Sequence, residues 1–230
     1  MEFKTNISET VGGEHFIYGN KVTDLMQQYT FTDTIFLLYT GKLPTDGERQ
    51  LLDTMLISAA EHGVETPSLY MPRVSVASGN SVHVGIAAGI LGIGEAHAGA
   101  GEAAAKLLGR AEDAPVLVEE YTKSGERMPG FGHRVYKEED PRATLIFTKA
   151  KDAALPLGSF EKAYAIEADL QKIKGKKLPL NIDGAFAAAV LALGMKPVAA
   201  KALFVFARVA GMGAHAIEEL EQENGYRRLH

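Results

Sequence analysis

Between Asn80 and Leu108 the chain is written almost wholly in Ala, Gly, Ile and Val, as in GIAAGILGIGEAHAGAGEAAAKLLG. Residues this small on several faces of a helix cannot hold a neighbour at a distance, so the segment demands helices packed backbone-close inside the protein. Its glycines predict an interruption around Gly92 to Gly101. The surroundings supply partners at helical spacing. Thr45 opens TDGE, a capping box in which Thr45 and Glu48 satisfy each other's backbone donors, and Leu51, Leu52, Met55, Leu56 and Ala59 follow on one face. That helix should end near His62 and Gly63. Asp33 to Tyr39 reads as helix with Gly41 as its left-handed terminus. Ser159 opens another that stops near Gly175. Ile182, Phe186, Val190 and Leu193 mark a buried face closed by Gly194. A final pair covers Pro197 to Ala210 and Met212 to Glu223.

The expected class is therefore mainly α. One local signal disagrees, RVSVAS at 73–78, which alternates like a strand; the helical context overrides it. Charge and composition narrow the function classes. The net charge of −5 argues against nucleic acid or anionic membrane as partner, so an anionic small molecule needs a local cluster of arginines. With no cysteine, thiol catalysis and Cys-ligated metals are excluded. The polar start MEFKTNISET lacks the apolar core of a secretory signal, and no run of about 18 apolar residues stands out, so a cytoplasmic location is expected.

The stretch that carries chemistry is GFGHRVYKEEDPR, 130–142. Gly130 and Gly132 let backbone approach a ligand closely. Asp140 and Pro141 read as N-cap and first helical residue, which puts Arg142 in an opening turn whose free N–H groups favour an anion.

Taken with GEAHAGAGE (94–102) and PLNIDGAF (179–186), in this order and at these spacings, the stretch resembles the citrate synthase superfamily. The likeness extends over nearly the whole chain, including EHG at 61–63 and ALFVFARVAGMGAH at 202–215. It is nearest, in length and in its early segments, to the compact citryl-CoA lyases and to the C-terminal module of ATP-citrate lyase. The departures are His-Ala-Gly where the family usually has His-Gly-Gly, smaller residues after Asp183, and a chain shorter than ordinary citrate synthases.

The resemblance implies a citrate synthase-like helical fold in two domains. The larger is built from 1–97 plus 188–230, and the smaller, coenzyme A-binding one from 98–187. It implies His97, His133 and Asp183 as the catalytic trio. His62, Arg142 and Arg208 become carboxylate ligands of a four-carbon keto acid, and Arg227 or Arg228 reaches a neighbouring subunit's site. Lys137 falls to the coenzyme, with Gly130, Gly132 and Lys174 assigned beside it; Lys172, Lys174, Lys176 and Lys177 taken by themselves read as a solvated face, with the coenzyme's phosphates as the alternative. The implied partners are citryl-CoA, acetyl-CoA, and oxaloacetate or citrate, with a homodimer or assembly of dimers and a companion citrate-CoA ligase. The coenzyme A thioester enters as substrate. No permanently bound cofactor and no metal is implied.

The residue chemistry suits that assignment. A methyl proton beside a thioester is so weakly acidic that a carboxylate, Asp183, removes it only if a donor, His97, stabilises the enolate oxygen; His133 exchanges the proton at the other substrate's oxygen. The expected activity is citryl-CoA lyase. The alternatives are citrate synthase and a non-catalytic CoA-binding paralogue or subunit of a larger assembly. Taken singly, His97 reads as a core histidine, Asp183 as an N-cap, and Arg208 as a partner of Glu218 or Glu219. His15, His83, His215 and His230 receive no role.

Overall fold

The computed structural model describes residues 4–222 and 225–226; Arg227 and Arg228, expected to cross between subunits, lie outside them, as does His230. Among the described residues the chain runs β1 (Ser8–Val11), β2 (Glu14–Ile17), β3 (Asn20–Lys21), then α1 (Val22–Gln28), α2 (Phe31–Thr40), α3 (Asp46–Ala60), α4 (Pro67–Ala77), α5 (Val82–Leu91) and α6 (Glu95–Leu108). It continues through α7 (Ala114–Ser124), α8 (Pro141–Asp152), α9 (Gly158–Lys174), α10 (Ile182–Ala192) and α11 (Val198–Glu221). The mainly α expectation holds.

The Ala/Gly stretch does what its composition demands. Gly85 and Gly89, one turn apart, turn α5 onto α4; a Cβ on Gly89 would lie 2.7 Å from the Ser68 carbonyl oxygen. That carbonyl is available because Pro72, four residues on, has no N–H to return to it. RVSVAS is helical, its first five residues closing α4, because Ser68, Leu69, Pro72 and Val76 bury one helical side there. Burial at a period near 3.6 outweighs the strand preference of its valines.

Three expectations need correction. The interruption is confined to the residues just before Glu95, and α6 continues through Gly99 and Gly101. The final pair of helices is one helix: Gly211 does not break α11 but lets the Ala60 carbonyl approach, where a Cβ would sit 2.4 Å from its oxygen. A small sheet was also missed. β1 and β2 pair antiparallel from Ser8↔Ile17 to Val11↔Glu14, and Gly12 and Gly13, both at positive φ, form the two-residue turn that matches strand twist.

By length and hydropathy α11 could cross a membrane, yet it lies at the centre, against α3, α4, α5 and α6. Beside it α10 is buried from Gly184 to Val190 and packs on α6, α8 and α9. These two helices and the first turn of α6 frame the site. One continuous apolar core draws on α2 and α3 as well as α6 to α11.

Candidate active site

A cavity of about 330 Å³ lies where α3, α6, α10 and α11 converge with the 130–142 stretch. His62, His97, His133, Arg142, Asp183 and Arg208 all line it. These residues are spread over almost 150 positions of sequence, and the packing of α10 is what gathers them. Backbone hydrogen bonds lace 130–132 to 179–181: Asn181 N–H to Gly130 C=O at 3.0 Å and Gly132 N–H to Pro179 C=O at 2.8 Å. The Asn181 amide adds a bond to Gly132 C=O at 2.9 Å. The approach is so close that a Cβ on Gly184 would lie 2.5 Å from the Gly130 oxygen. Gly130 thus has a packing reason to be glycine, at φ +88° facing Gly184.

Asn181, not Asp183, caps α10, its side chain accepting from Gly184 N–H at 3.1 Å. That leaves Asp183 in the first turn with its carboxylate in the cavity and, among the described residues, without a hydrogen bond or ion pair. Burial pushes its pKa up; Arg142, His62 and His133 pull the other way without winning. A carboxylate held above its ordinary range and unpartnered is a base ready to take a proton and an acid ready to return it.

His133 is surrounded by donors. Its Nδ1 accepts from Val135 N–H and Tyr136 N–H, each at 3.0 Å, which assigns the ring proton to Nε2; there Arg142 Nη2 stands 3.3 Å away. Burial and the Arg142 charge lower its pKa, against Asp140, which raises it. The ring is a neutral imidazole.

His97, in the first turn of α6, reaches neutrality by another route. Its Nε2 lies 2.8 Å from the Ser68 hydroxyl, which already accepts from Arg208 Nη1 at 3.2 Å. Arg208 can only donate, so among the described residues His97 Nε2 is the acceptor for the proton of this buried hydroxyl, and His97 carries its own proton on Nδ1. Burial, then Arg208 and His62, lower its pKa. The Phe204 ring stands edge-on to His97 at 6.2 Å and beneath the Arg208 guanidinium at 4.9 Å.

The arginines differ in kind. Asp140, fully buried, binds Arg142 Nε at 3.0 Å, its Nη2 at 2.8 Å and its backbone N–H at 3.1 Å, and also takes Ile182 N–H at 3.1 Å. The helix-start donor expected to face a ligand is thus used internally, because a fully buried carboxylate must be satisfied. Arg208 has no carboxylate partner among the described residues. It donates to Ala59 C=O at 2.6 Å and to Ser68, and burial lowers its pKa. Glu218 and Glu219, considered as its partners from sequence, pair with Arg73 instead.

A second cavity of about 710 Å³ adjoins the first, since His133 lines both. Gly132 and Lys174 line it as well, together with Lys176 and with Arg127 and Arg134, two arginines on either side of GFGH that sequence reasoning left aside. Lys137 lines neither; its ammonium donates to His133 C=O at 3.2 Å. Ser68 and the cross-linking role of Asp140 were also missed. A serine in a helix carries no signal of its own until the neighbouring helix supplies the histidine.

The family described as "Citrate synthase, C-terminal domain" matches residues 46–229. Among curated relatives, citrate synthase 2 of Bacillus subtilis is 30% identical over 201 residues, covering 85% of this chain and 54% of its own length. The chain thus spans about half the length of the curated relatives it matches. Among solved structures, citryl-CoA lyase from Hydrogenobacter thermophilus superposes with a TM-score of 0.95 at 35% identity, covering 99% of this chain and 91% of the other. Citrate synthase from Thermoplasma acidophilum, in ternary complex with carboxymethyl coenzyme A and oxaloacetate, gives 0.70 at 28% identity, covering 87% and 56%.

Proposed function

This chain belongs to the citrate synthase family, and from that premise we propose that it cleaves citryl-CoA to acetyl-CoA and oxaloacetate. The observation that carries the reading is the unpartnered, burial-raised carboxyl group of Asp183 in one cavity with two neutral imidazoles. In the cleavage direction His133 Nε2–H donates a hydrogen bond to the tertiary oxygen while the hydroxyl proton passes to the unpartnered Asp183 carboxylate and the carbon–carbon bond breaks. The bond's electron pair becomes the thioester enolate, whose oxygen accepts from His97 Nδ1–H near the positive end of α6. Asp183, protonated, returns a proton to the enolate carbon and gives acetyl-CoA. Condensation is the same path reversed.

Arg208, Arg142 and His62 take the carboxylates of the four-carbon part. Arg127, Arg134, Lys174 and Lys176 around the second cavity suit the coenzyme's phosphates, which a chain of net charge −5 can attract only locally. Division into 1–97 plus 188–230 and 98–187 places the catalytic cavity at the seam, so closure over substrate is part of the proposal. So is a homodimer. Leu91 is 84% exposed, and Ile90 and Val84 on the same helix, with Ile217 and Leu220 on α11, are also exposed. A second copy would cover them, and sedimentation velocity reads this directly.

A second reading, citrate synthase, is favoured by the name of the B. subtilis relative. The two differ in thioester hydrolysis, for which no residue here is assigned. Lyase is preferred because the structural likeness to the citryl-CoA lyase covers both chains almost completely. Mass spectrometry of products from citryl-CoA decides: acetyl-CoA and oxaloacetate support the lyase, whereas citrate and free CoA released well above the spontaneous rate overturn it.

A further inference from the structure

His62 enters the cavity from residues 61–63, which follow α3 and belong to no helix or strand. Nothing regular holds that segment, yet its ring must meet a ligand at a fixed place. The bracing comes from the preceding side chain. Glu61 Oε2 accepts from Gly63 N–H at 2.7 Å, and Oε1 meets His215 Nε2 on α11 at 2.9 Å. His215 Nδ1 faces a donor, Arg73 Nη1 of α4, at 3.3 Å, so Nδ1 accepts and Nε2–H donates to Glu61. Arg73 is in turn held by Glu219 Oε2 at 2.7 Å, by Glu218, and by Gln222 Oε1 at 3.2 Å. Bonds from His215 and from the backbone N–H groups of Gly63 and His62 keep the Glu61 carboxylate below its usual range in spite of partial burial.

We propose that Arg73, His215 and Glu61 form a positioning relay for His62, transmitting the fixed geometry of α4 and α11 to an irregular segment at the mouth of the site. His215 touches no substrate in this arrangement. Its ring, held between Arg73 and Glu61, sets the rotamer of Glu61, and Glu61 sets the turn that aims His62. The role in turnover rests on reading His62 as a carboxylate ligand.

The test uses the full-length chain. His215→Leu and Glu61→Gln should each weaken oxaloacetate, read as KM and by calorimetry, about 10-fold, as expected for losing one hydrogen bond to a charged group. Turnover number should stay within about 2-fold, since ligand positioning rather than proton transfer is lost. His215→Gln, which keeps a donor near the Nε2 position, should recover most of the affinity. In a His62→Ala background, His215→Leu should have no further effect. Full additivity there, or unchanged affinity, overturns the relay. Histidine ¹³C NMR of the ligand-free protein separates this from the functional reading: the His62 ring resonance, identified by its loss in His62→Ala, should shift in His215→Leu and Glu61→Gln and stay put in His83→Ala. An unmoved resonance overturns the relay. If wild type binds no oxaloacetate while the resonance moves, the relay stands and the keto-acid reading falls.

Discussion

The two walls of the cavity keep an imidazole neutral beside an arginine, and they do it by opposite means. On the 130–142 wall the cation has its own acid: Asp140 saturates two guanidinium nitrogens of Arg142, and backbone N–H groups hold His133 unprotonated. On the α4–α11 wall Arg208 has no carboxylate paired with it among the described residues, and Glu61 acts on it only from a distance. Arg208 is buried against a carbonyl and a hydroxyl, and that hydroxyl sets the His97 tautomer. A compensated cation gains less from a further carboxylate, whereas a desolvated one without a counter-ion gains most. The difference predicts that a bound anion is held more strongly by Arg208 than by Arg142.

Asp183, between the walls, gives the largest expected effect. Asp183→Asn should lower turnover by roughly 10²–10⁴-fold with little loss of affinity. It should also raise the melting temperature near neutral pH. The sign follows from linkage: the folded pKa is raised, so ionisation opposes folding increasingly as pH rises from the unfolded value to the folded one and in full above it, and the amide removes that cost. Equal kinetics for Asp183→Asn and wild type would leave Asp183 no chemical role.

Next come the arginines, where the comparison itself is at stake. Arg208→Met should cost about 2–5 kcal/mol of oxaloacetate binding by calorimetry, and Arg142→Met less than that. The reverse ranking would break the distinction between a compensated and an uncompensated cation.

A smaller effect should distinguish the histidines. Ser68→Ala removes the hydroxyl that orients His97, at roughly 1–3 kcal/mol in the barrier read as kcat/KM, and leaves His133 untouched. In wild type both imidazoles titrate below the ordinary value of about 6.5. Activity should therefore persist as pH falls through that value and be lost only lower. Ser68→Ala should shift this acid limb, whereas a limb that does not move would mean His97 is set by burial and Arg208 alone.

The smallest effect tests the scaffold under Ser68. Gly89→Ala places a methyl group against the Ser68 carbonyl and should cost about 1–3 kcal/mol of stability in denaturant unfolding. An unchanged midpoint would mean that α5 is free to slide.

Much of this was legible in the residues. The capping box at Thr45, the Asp-Pro start of α8, and the left-handed glycines at 41 and 175 are short-range chemistry, and those helices form where that chemistry puts them. The three motifs pointed to His97, His133 and Asp183 through their resemblance to a family, and all three line one cavity. What no local pattern contains is contact between distant segments. Whether Gly211 ends a helix or admits the Ala60 carbonyl depends on α3. Whether Ser68 is filler or the partner of His97 depends on α6 crossing α4. Asp140 looked like a cap and is one, but its second oxygen holds α10 as well, through Ile182. The sequence by itself determined most helix positions, because these follow from bonding within a few residues, and its motifs marked the candidate site residues. The tertiary structure alone decided tautomers, ion-pair partners and the difference between Arg142 and Arg208, because each is set by which buried groups meet away from water.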